Sequence, residues 1–160
     1  MDNICIRPFT EKDSQTTAHI FFDSIHVGTQ EYYTEIERAA WSPDVPELSG
    51  WCAKLETQFS LVAVQENHVI GFMTLTSEGC IDLAFLAPHV IGQGVAQKLY
   101  DEILQEAVRA KMTRIYTYAS LMAHKFFLRQ GWSVMHAQKV IRNNISISNF
   151  VMEKTVLETA

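Results

Sequence analysis

The sequence predicts an α/β protein built on one mixed sheet. Segments of strand-like composition alternate along the chain with segments of helical periodicity, which is typical of a sheet with helices packed on it. Three strand-like segments also follow one another directly in residues 60–86, so part of the sheet should be antiparallel. No internal repeat or low-complexity linker divides the 160 residues, and we expect one domain over residues 1–160.

Composition limits the function classes. Hydrophobic residues make up 48% of the chain and charged residues 19%, which favours a globular protein over a disordered one. With 13 basic and 18 acidic residues, the formal net charge is −5. This balance disfavours a nucleic acid as the main partner, because phosphate binding needs clustered Lys and Arg. It is mildly compatible with a cationic substrate.

The cysteines and the apolar runs bear on location. Cys5, Cys52 and Cys80 are scattered without metal-ligand spacing, so we expect free thiols, no metal site and a reducing compartment, the cytoplasm. Charged residues such as Arg7 and Glu11 interrupt the N-terminal segment, which therefore does not resemble a signal peptide. No apolar run approaches the ~18 residues of a membrane span, so no membrane association is expected.

The first part of the chain is predicted to form one strand and three helices. Residues 4–9 have strand composition, and Asp13 or Ser14 is a suitable N-cap for the helix that follows. The apolar face of this helix has the i, i+3, i+4, i+7 spacing and consists of Ala18, Phe21, Phe22 and Ile25. Two more helical segments are separated by a loop with two prolines: helices at 33–41 and about 51–57, and the loop at 42–49.

The middle of the chain is predicted to form a three-stranded antiparallel meander. Strands are expected over residues 60–65, 68–76 and 80–86. The connections are Glu66-Asn67 and residues 77–79, both rich in turn-forming residues.

The last part of the chain continues the alternation of helix and strand. A helix over residues 93–111 has the clearest apolar stripe, formed by Val95, Leu99, Ile103 and Ala107. A strand at 113–119 and a helix at 123–130 follow, and Gly131 is the expected C-cap. Two strands close the chain, at 132–142 and 145–155, with a turn at Asn143-Asn144 between them.

The most informative segment, LAPHVIGQGVA at residues 86–96, joins a strand to the longest predicted helix. Pro88 ends the strand, and Gly92 and Gly94 bracket one residue directly before the helix. Glycines let the backbone turn tightly and bring N–H groups close to an anion, and the helix N-terminus adds the positive end of its dipole. A pyrophosphate is the natural ligand. Because no Lys-Ser or Lys-Thr follows, a nucleoside-triphosphate loop is excluded; a merely connecting glycine turn is the alternative.

This segment resembles the acetyl-CoA motif of the GNAT superfamily, Arg/Gln-x-x-Gly-x-Gly/Ala, at positions Ile91, Gly94 and Ala96. A second block at residues 120–132, S-x-x-A-x-x-F-F-x-x-x-G-W, resembles the superfamily's Asn-x-x-Ala-x-x-Phe-Tyr-x-x-x-Gly-Phe. The opening Ile6-Arg7-Pro8, followed by Asp13, is also similar to the usual GNAT start. Since the element order matches over nearly the whole chain, the protein is identified as a member of this superfamily.

The resemblance implies the GNAT fold: a central mixed, mostly antiparallel sheet of about seven strands with about four flanking helices, splayed between strands 4 and 5. Acetyl-CoA would lie in the splay as co-substrate, and a bulge near Phe85 and Leu86 would point backbone groups at its pantetheine arm. Ser120 would bond the pantetheine, while Phe126 and Phe127 would flank the thiol end. The pyrophosphate would be held by six consecutive backbone N–H groups, those of Ile91, Gly92, Gln93, Gly94, Val95 and Ala96.

Two residues depart from the superfamily pattern. Ile91 replaces the usual Arg or Gln, which predicts weaker cofactor binding through a surviving backbone cradle. Phe127 replaces a Tyr that often protonates the leaving thiolate, and Phe has no proton to give. A thiol pKa of about 8.5 makes the thiolate only a moderate base, so catalysis tolerates this loss. Tyr116 and Tyr118 are candidate replacements, although strand packing is the favoured interpretation of both.

The attacking amine must lose a proton before it reacts, because a Lys-like amine has a pKa of about 10.4. Relatives often use a carboxylate on the fourth strand, and Asp82 is the candidate here, with Ser120 as the second catalytic candidate. Strand alternation predicts that Asp82 shares a face with Ala84 and Leu86. A structural role for Asp82 is an equal alternative, and Glu78 is the next candidate base.

The acceptor side is implied to come from the first helices and the loop between them. The candidate substrate-binding residues are His26, Tyr32, Tyr33 and Trp41, for which capping or packing is the simpler interpretation.

Together these features predict an N-acetyltransferase that moves acetyl from acetyl-CoA to a primary amine of a small molecule or peptide, by direct attack in a ternary complex. The alternative is a non-catalytic acyl-CoA-binding sensor or regulatory module, which Ile91 and Phe127 favour. The acidic balance disfavours a third class, the GNAT toxins that acetylate aminoacyl-tRNA. The acceptor and the oligomeric state stay open, and a homodimer is one of the states allowed.

Overall fold

The structure, a computed structural model that describes residues 3–156, contains one seven-stranded sheet with helices packed on both faces. The strands are β1 (Ile4–Pro8), β2 (Phe59–Gln65), β3 (His68–Leu75), β4 (Cys80–Leu86), β5 (Arg114–Ser120), β6 (Ser133–Arg142) and β7 (Ile145–Thr155). The α-helices are α1 (Ser14–Asp23), α2 (Glu35–Trp41), α3 (Leu48–Glu56), α4 (Val95–Arg109) and α5 (His124–Arg129).

The sheet has the order β1-β2-β3-β4-β5-β7-β6, in which only the β4–β5 pair is parallel. This confirms the predicted mixed, mostly antiparallel sheet and its β2-β3-β4 meander. Both predicted Asn-containing turns have the positive φ angles that tight hairpins need: 51° at Glu66, 66° at Asn67, 48° at Asn143 and 67° at Asn144.

The two faces of the sheet carry separate hydrophobic clusters. On one face α4 buries its predicted stripe, including Leu99 and Ile103, against strand residues such as Ile115 and Met152. On the other face α1 and α3 pack against β2, β3 and β4. The central strands are therefore packed on both faces. This packing fixes the position of any opening between two of them. Among the described residues, none of the helices combines the length and apolar character of a membrane span.

Three helices differ from the boundaries expected. The first extends beyond α1 through a π-helical segment, Ser24–Gly28. The second begins two residues late, because Thr34 and Glu37 form a reciprocal capping box with N–H contacts of 2.8 and 3.1 Å. The third begins three residues early, at Leu48, because the carboxylate of Glu47 accepts hydrogen bonds from the first free N–H groups of the helix. The described chain contains five α-helices, in keeping with the expected number of about four.

A β-bulge in β4 corrects two expectations. Met73 pairs with Ala84 but Leu75 pairs with Ile81, so one residue of β3 faces two residues of β4. The hydroxyl of Thr74 accepts a hydrogen bond of 3.1 Å from the N–H of Leu83 at this point. The bulge therefore lies earlier than the expected position near residues 85–86, which pair regularly with β3.

The bulge also changes the direction of Asp82. Ile81 and Ala84 both pack in the α4-side cluster, whereas Leu83 packs on the opposite face. Asp82 contacts Lys54 of α3 and Gln58 just beyond it. The expectation that simple alternation puts Asp82 on the face of Ala84 and Leu86 was therefore wrong, because the extra residue interrupts the two-residue period.

A partly buried ion pair joins β1 to the start of α1. Arg7 donates two hydrogen bonds, of 2.8 and 2.9 Å, to the carboxylate of Asp13, which is 5% exposed. Burial pushes the pKa of Asp13 up, but hydrogen bonds from Arg7 and Thr10 outweigh it and hold the pKa below its usual value. The pair fixes α1 against β1, which explains the family-like opening at residues 6–13.

We expect Asp13→Asn to lower the free energy of unfolding by about 2 kcal/mol at neutral pH, because a charged hydrogen-bonding group is replaced by a neutral one. Since the folded pKa is lowered, this stabilisation is present above the unfolded pKa of about 3.9 and is lost as the pH falls through the folded pKa. Urea unfolding at neutral and acidic pH measures it. Asp23→Asn, at an exposed position, is the control. A difference between wild type and Asp13→Asn that does not shrink in acid would contradict the ion-pair account.

Candidate active site

Strands β4 and β5 separate shortly after they meet. They pair only at Cys80 with Tyr116 and at Ile81 with Thr117, where the Thr117 hydroxyl donates to the Ile81 carbonyl at 2.7 Å. Strand β5 continues its pairing with β7 as far as Ser120. A wedge therefore opens between the carboxyl ends of β4 and β5, as predicted for the splay. It holds a connecting cavity of about 50 Å³.

A second cavity, of about 260 Å³, lies on the α4 face between the glycine turn and α5. We call it the turn-side cavity. Its lining comes from the turn, from the end of β4 and from α5, and includes Leu86, Ile91, Gly92, Ala96, Ala123, Lys125, Phe126, Phe127 and Arg129. Phe127, which is 2% exposed, also lines the connecting cavity. Of the two aromatic rings of the second sequence block, Phe127 thus lies where the two cavities meet and Phe126 lies in the turn-side cavity.

The glycine turn presents bare backbone at the start of α4. Gly92 and Gly94 have φ angles of 84° and 87°, the left-handed region that glycine adopts without strain, and Gly94 is the N-cap of α4. A Cβ atom built on either glycine would meet no atom within 4 Å, so the space beside the turn is open. The N–H groups of Gly92 and Gly94 make no hydrogen bond to the rest of the described chain. They remain available to an anion, as do the first N–H groups of the helix.

Two cations near the turn were not among the predicted site residues. Lys125 and Arg129 lie four residues apart on α5 and line the turn-side cavity. Lys125 lies over the ring of Tyr32 at 5.4 Å, and Arg129 over that of Phe126 at 6.0 Å. Their i, i+4 spacing was visible in the sequence, but the motif that drew attention to this helix contains only its small and aromatic positions.

A third cavity, of about 380 Å³, lies on the α1 and α3 face of the opening. We call it the aromatic cavity. Five aromatic and three charged residues line it: Phe21, Tyr33, Trp41, Phe85, Tyr118, Lys54, Asp82 and Arg142. Leu83, Ser120, Val140, Ile147 and Asn149 complete the lining. Leu83 and Phe85 line this cavity, whereas Ala84 and Leu86, which point to the other face of β4, line the turn-side cavity. The two cavities therefore lie on opposite sides of the sheet and meet at the wedge.

Asp82 lies where the aromatic and connecting cavities meet. Its Oδ2 atom accepts a hydrogen bond of 2.9 Å from Gln58 Nε2 and is 3.6 Å from Lys54 Nζ. The other carboxylate oxygen has no hydrogen-bond donor among residues 3–156. The neighbours therefore orient the carboxylate and leave one oxygen free for a ligand.

Ser120 also lies at the junction of these two cavities. Its hydroxyl oxygen accepts a hydrogen bond of 3.0 Å from the N–H of Ala123, which helps to start α5. The hydroxyl still has its own proton to donate. Ser120 can therefore serve both the helix and a ligand.

Only two of the four predicted acceptor residues lie in the aromatic cavity. Trp41 and Tyr33 line the aromatic cavity. The Tyr33 hydroxyl donates to the Ser148 carbonyl at 2.7 Å and accepts from the Leu121 N–H at 2.9 Å, and burial raises its pKa. Tyr33 is thus held in place in the cavity lining, and its hydroxyl links β7 to the segment before α5.

Tyr32 and His26 lie outside the aromatic cavity. Tyr32 lines the turn-side cavity instead, with its hydroxyl 3.5 Å from Lys125 Nζ. His26 stacks on Phe22, and its Nε2 atom is 2.6 Å from the carbonyl oxygen of Ser42. Those contacts hold the segment after α1 against the end of α2, which is a structural role.

The two strand tyrosines also differ. Tyr118 is 55% exposed and lines both the aromatic and the connecting cavity. Tyr116 lines none of the three cavities and faces Tyr118 at 6.0 Å between ring centres. The packing interpretation therefore suits Tyr116 but not Tyr118, whose ring stands beside the wedge. In the described part of the chain, no group of three or more His, Cys, Asp or Glu residues is placed to hold a metal ion.

The glycine turn at a helix start and the two diverging parallel strands both lie within a segment that matches a known family. The family model for the acetyltransferase (GNAT) domain matches residues 28–155. The chain belongs to the GNAT acetyltransferase family. This confirms the family assignment made from the two sequence blocks, and the protein is an acyltransferase.

Solved structures support the GNAT fold. A GCN5-related N-acetyltransferase from Rhodopseudomonas palustris is 27% identical, with a TM-score of 0.91 over 97% of each chain. The yncA protein of Salmonella typhimurium, solved with its cofactor acetyl-CoA, is 14% identical, with a TM-score of 0.77 over 99% of this chain and 96% of that one. The PaiA N-acetyltransferase of Thermoplasma acidophilum, in complex with coenzyme A, is 17% identical, with a TM-score of 0.78 over 96% and 99%. No curated protein matches the chain.

Proposed function

We propose that this protein transfers the acetyl group of acetyl-CoA to a primary amine of a small molecule or peptide, while both substrates are bound. The observation that carries the proposal is the meeting of two cavities, from opposite faces of the sheet, at the wedge between β4 and β5. One cavity ends at a bare glycine turn suited to a pyrophosphate, and the other is lined by aromatic and charged side chains. The acetyl-CoA and coenzyme A bound to two proteins of the same fold support this choice of co-substrate.

The acyl-CoA would bind along the turn-side cavity. The backbone N–H groups of residues 91–96 would bind the pyrophosphate, with Gln93, Val95 and Ala96 contributing through the first turn of α4. Lys125 and Arg129 would bind further phosphate oxygens, since both cations line the same cavity. Their charges can compensate for the Arg or Gln that Ile91 replaces.

The remainder of the acyl-CoA would extend towards the wedge. Its pantetheine arm would pass the end of β4 at Phe85 and Leu86. Its thiol end would then lie near Ser120, between Phe126 and Phe127, where the turn-side and connecting cavities meet.

The amine would reach the thioester from the aromatic cavity. Asp82 would attract the protonated amine and accept one proton, directly or through water, so that the nitrogen lone pair becomes free. The nitrogen would then attack the acetyl carbon, the carbon–sulfur bond would break, and the thiolate would leave with a proton from a nearby donor. The second proton that the nitrogen loses on becoming an amide would pass to water, and the donor would regain its own proton from water. Ser120 would orient the thioester end through its free hydroxyl proton.

Direct attack is favoured over a covalent acyl-enzyme at the nearest thiol. Cys80 lies at the start of β4, where burial raises its pKa to about 12. At neutral pH this thiol is therefore protonated and a poor nucleophile. Cys80 would therefore not form an acetyl-enzyme intermediate.

Tyr118 is the proposed proton donor to the leaving thiolate, in place of the tyrosine that Phe127 replaces. We expect Tyr118→Phe to lower kcat roughly tenfold with little change in acetyl-CoA affinity, because a moderately basic thiolate needs only partial help. Steady-state thiol release measures the effect. Tyr116→Phe, on the same strand but away from all three cavities, is the matched control. Equal activity of the two variants would show that Tyr118 is not the proton donor and only packs at this position.

The experiment that tests the function combines calorimetry and turnover. Acetyl-CoA is titrated into the protein, and free thiol is then measured in the same samples with a mixed panel of primary amines. Binding followed by amine-dependent thiol release is the expected result. Binding without release from any amine would favour the second candidate, a non-catalytic acyl-CoA sensor, for which Ile91 and Phe127 are the supporting residues.

A further inference from the structure

We propose that the acceptor carries a carboxylate as well as its amine, and that Arg142 binds this carboxylate. The substrate class is then an amino acid or a related amino carboxylate rather than a polyamine. This inference rests on the proposed acetyl transfer and adds the chemistry of the acceptor. It follows from where the charged side chains lie along the aromatic cavity.

The aromatic cavity has a reacting end and a distal end. Residues that also line the connecting cavity mark the reacting end, and they are Trp41, Asp82, Phe85, Tyr118 and Ser120. Arg142 lines only the aromatic cavity, together with Val140 and Ile147. With its amine at Asp82, the rest of the acceptor would occupy the part of the aromatic cavity away from the wedge, whose lining includes Arg142.

Arg142 is a cation without an acidic partner in the described chain. Of the two cations in the lining, Lys54 is paired with Asp82 at 3.6 Å, whereas no carboxylate of residues 3–156 lies within 4.0 Å of Arg142. Arg142 is the last residue of β6, and its two-residue spacing from Val140 puts both on one face of that strand. A guanidinium in such a place presents a planar pair of donors that matches a carboxylate.

The local charge opposes the charge of the whole chain. The cavity lining carries two cations and one anion, although the formal net charge of the protein is −5. The overall acidity made a cationic substrate mildly attractive, but a polyamine would bring its second ammonium group towards Arg142. An amino carboxylate satisfies both ends, with its ammonium at Asp82 and its carboxylate at Arg142. Between them, Phe21, Trp41 and Ile147 offer apolar surface to the middle of the ligand.

Matched pairs of amines test this inference. Each of the standard amino acids is compared with the amine that lacks its carboxylate and with its neutral carboxamide, using acetyl-CoA-dependent thiol release. We expect kcat/KM to be at least about tenfold higher for the favoured amino acid than for either analogue, the size of one lost charged hydrogen-bonding pair.

Variants locate the preference at Arg142. Arg142→Gln should raise KM for the amino acid about tenfold and leave kcat/KM for the decarboxylated analogue unchanged, so the preference disappears. Arg142→Lys should retain part of it, because the charge stays but the planar fork is lost. The matched control is Arg109→Gln, since Arg109 is an exposed arginine on α4 that lines neither the aromatic nor the turn-side cavity; it should behave as wild type.

The outcomes separate this inference from the function beneath it. Turnover of decarboxylated amines and polyamines as fast as amino acids, unchanged by Arg142→Gln, would overturn the carboxylate assignment and leave the acetyltransferase proposal standing. Acetyl-CoA binding with no amine-dependent thiol release would overturn both. An unchanged melting temperature for Arg142→Gln shows that any loss of preference comes from the binding site and not from unfolding.

Discussion

Gly94→Asp is expected to weaken acetyl-CoA binding by at least about a hundredfold, the largest single effect that the structure predicts. Gly94 is the N-cap of α4, beside the free N–H groups that would hold the pyrophosphate. A carboxylate there would occupy those donors and repel the phosphates. A Cβ at this position meets nothing within 4 Å, so the charge would lie in open space, although the φ angle of 87° strains any side chain placed there. Calorimetric titration of acetyl-CoA measures the loss.

Gly94→Asn is the matched control for charge. Asn has nearly the same shape as Asp and adopts the left-handed backbone conformation more readily than most residues. We expect it to lose much less affinity than Gly94→Asp, with similar melting temperatures for the two variants. If both variants bind acetyl-CoA like wild type, the pyrophosphate does not lie at this turn.

Asp82→Asn is expected to lower kcat about a hundredfold at neutral pH, a typical contribution of a general base. Asn keeps the shape and the hydrogen bond from Gln58 but cannot accept a proton from an ammonium group. Affinity for acetyl-CoA should stay close to wild type, because Asp82 lines the aromatic and connecting cavities and not the turn-side cavity. Thiol release with a saturating amine and calorimetry with acetyl-CoA measure the two quantities separately.

The pH dependence distinguishes a proton acceptor from a structural residue. The defect of Asp82→Asn should shrink as the pH rises towards the pKa of the amine, about 10.4 for a Lys-like group, because the amine then deprotonates unaided. Glu78→Gln is the control, since Glu78 is exposed in the turn before β4 and was the second candidate base. A defect in Asp82→Asn that is independent of pH would make the residue structural.

The strands of the sheet could be predicted from sequence because the residues in the turns determine where each strand ends. Each β-hairpin turn uses residues that tolerate positive φ, as at Asn67 and Asn143, and these turns set the strand ends within about two residues. The helix starts were less predictable. Glu47 begins α3 from a position that resembles loop, because its carboxylate replaces the Ser, Thr, Asp or Asn expected at an N-cap.

The glycine turn at the start of α4 could also be predicted from sequence, whereas the directions of the side chains around it could not. The two-residue period of a strand cannot reveal a bulge, and the bulge at Thr74 redirects Asp82 towards α3. Tyr32 and Tyr33 are adjacent in the chain yet line different cavities, since only Tyr33 reaches β7. Arg142 had no motif to mark it, because its importance depends on a cavity built from distant segments.

The aromatic cavity and the turn-side cavity lie on opposite faces of the sheet, so the two proposed substrates would approach the wedge from opposite sides. The two cavities have no lining residue in common, and each shares lining residues with the connecting cavity of about 50 Å³. If the substrates bind as proposed, an acyl-CoA in the turn-side cavity would not block the route of an amine through the aromatic cavity, and the acetylated product would leave without passing the coenzyme. We therefore expect either substrate to be able to bind first, in an order set by relative affinities and concentrations.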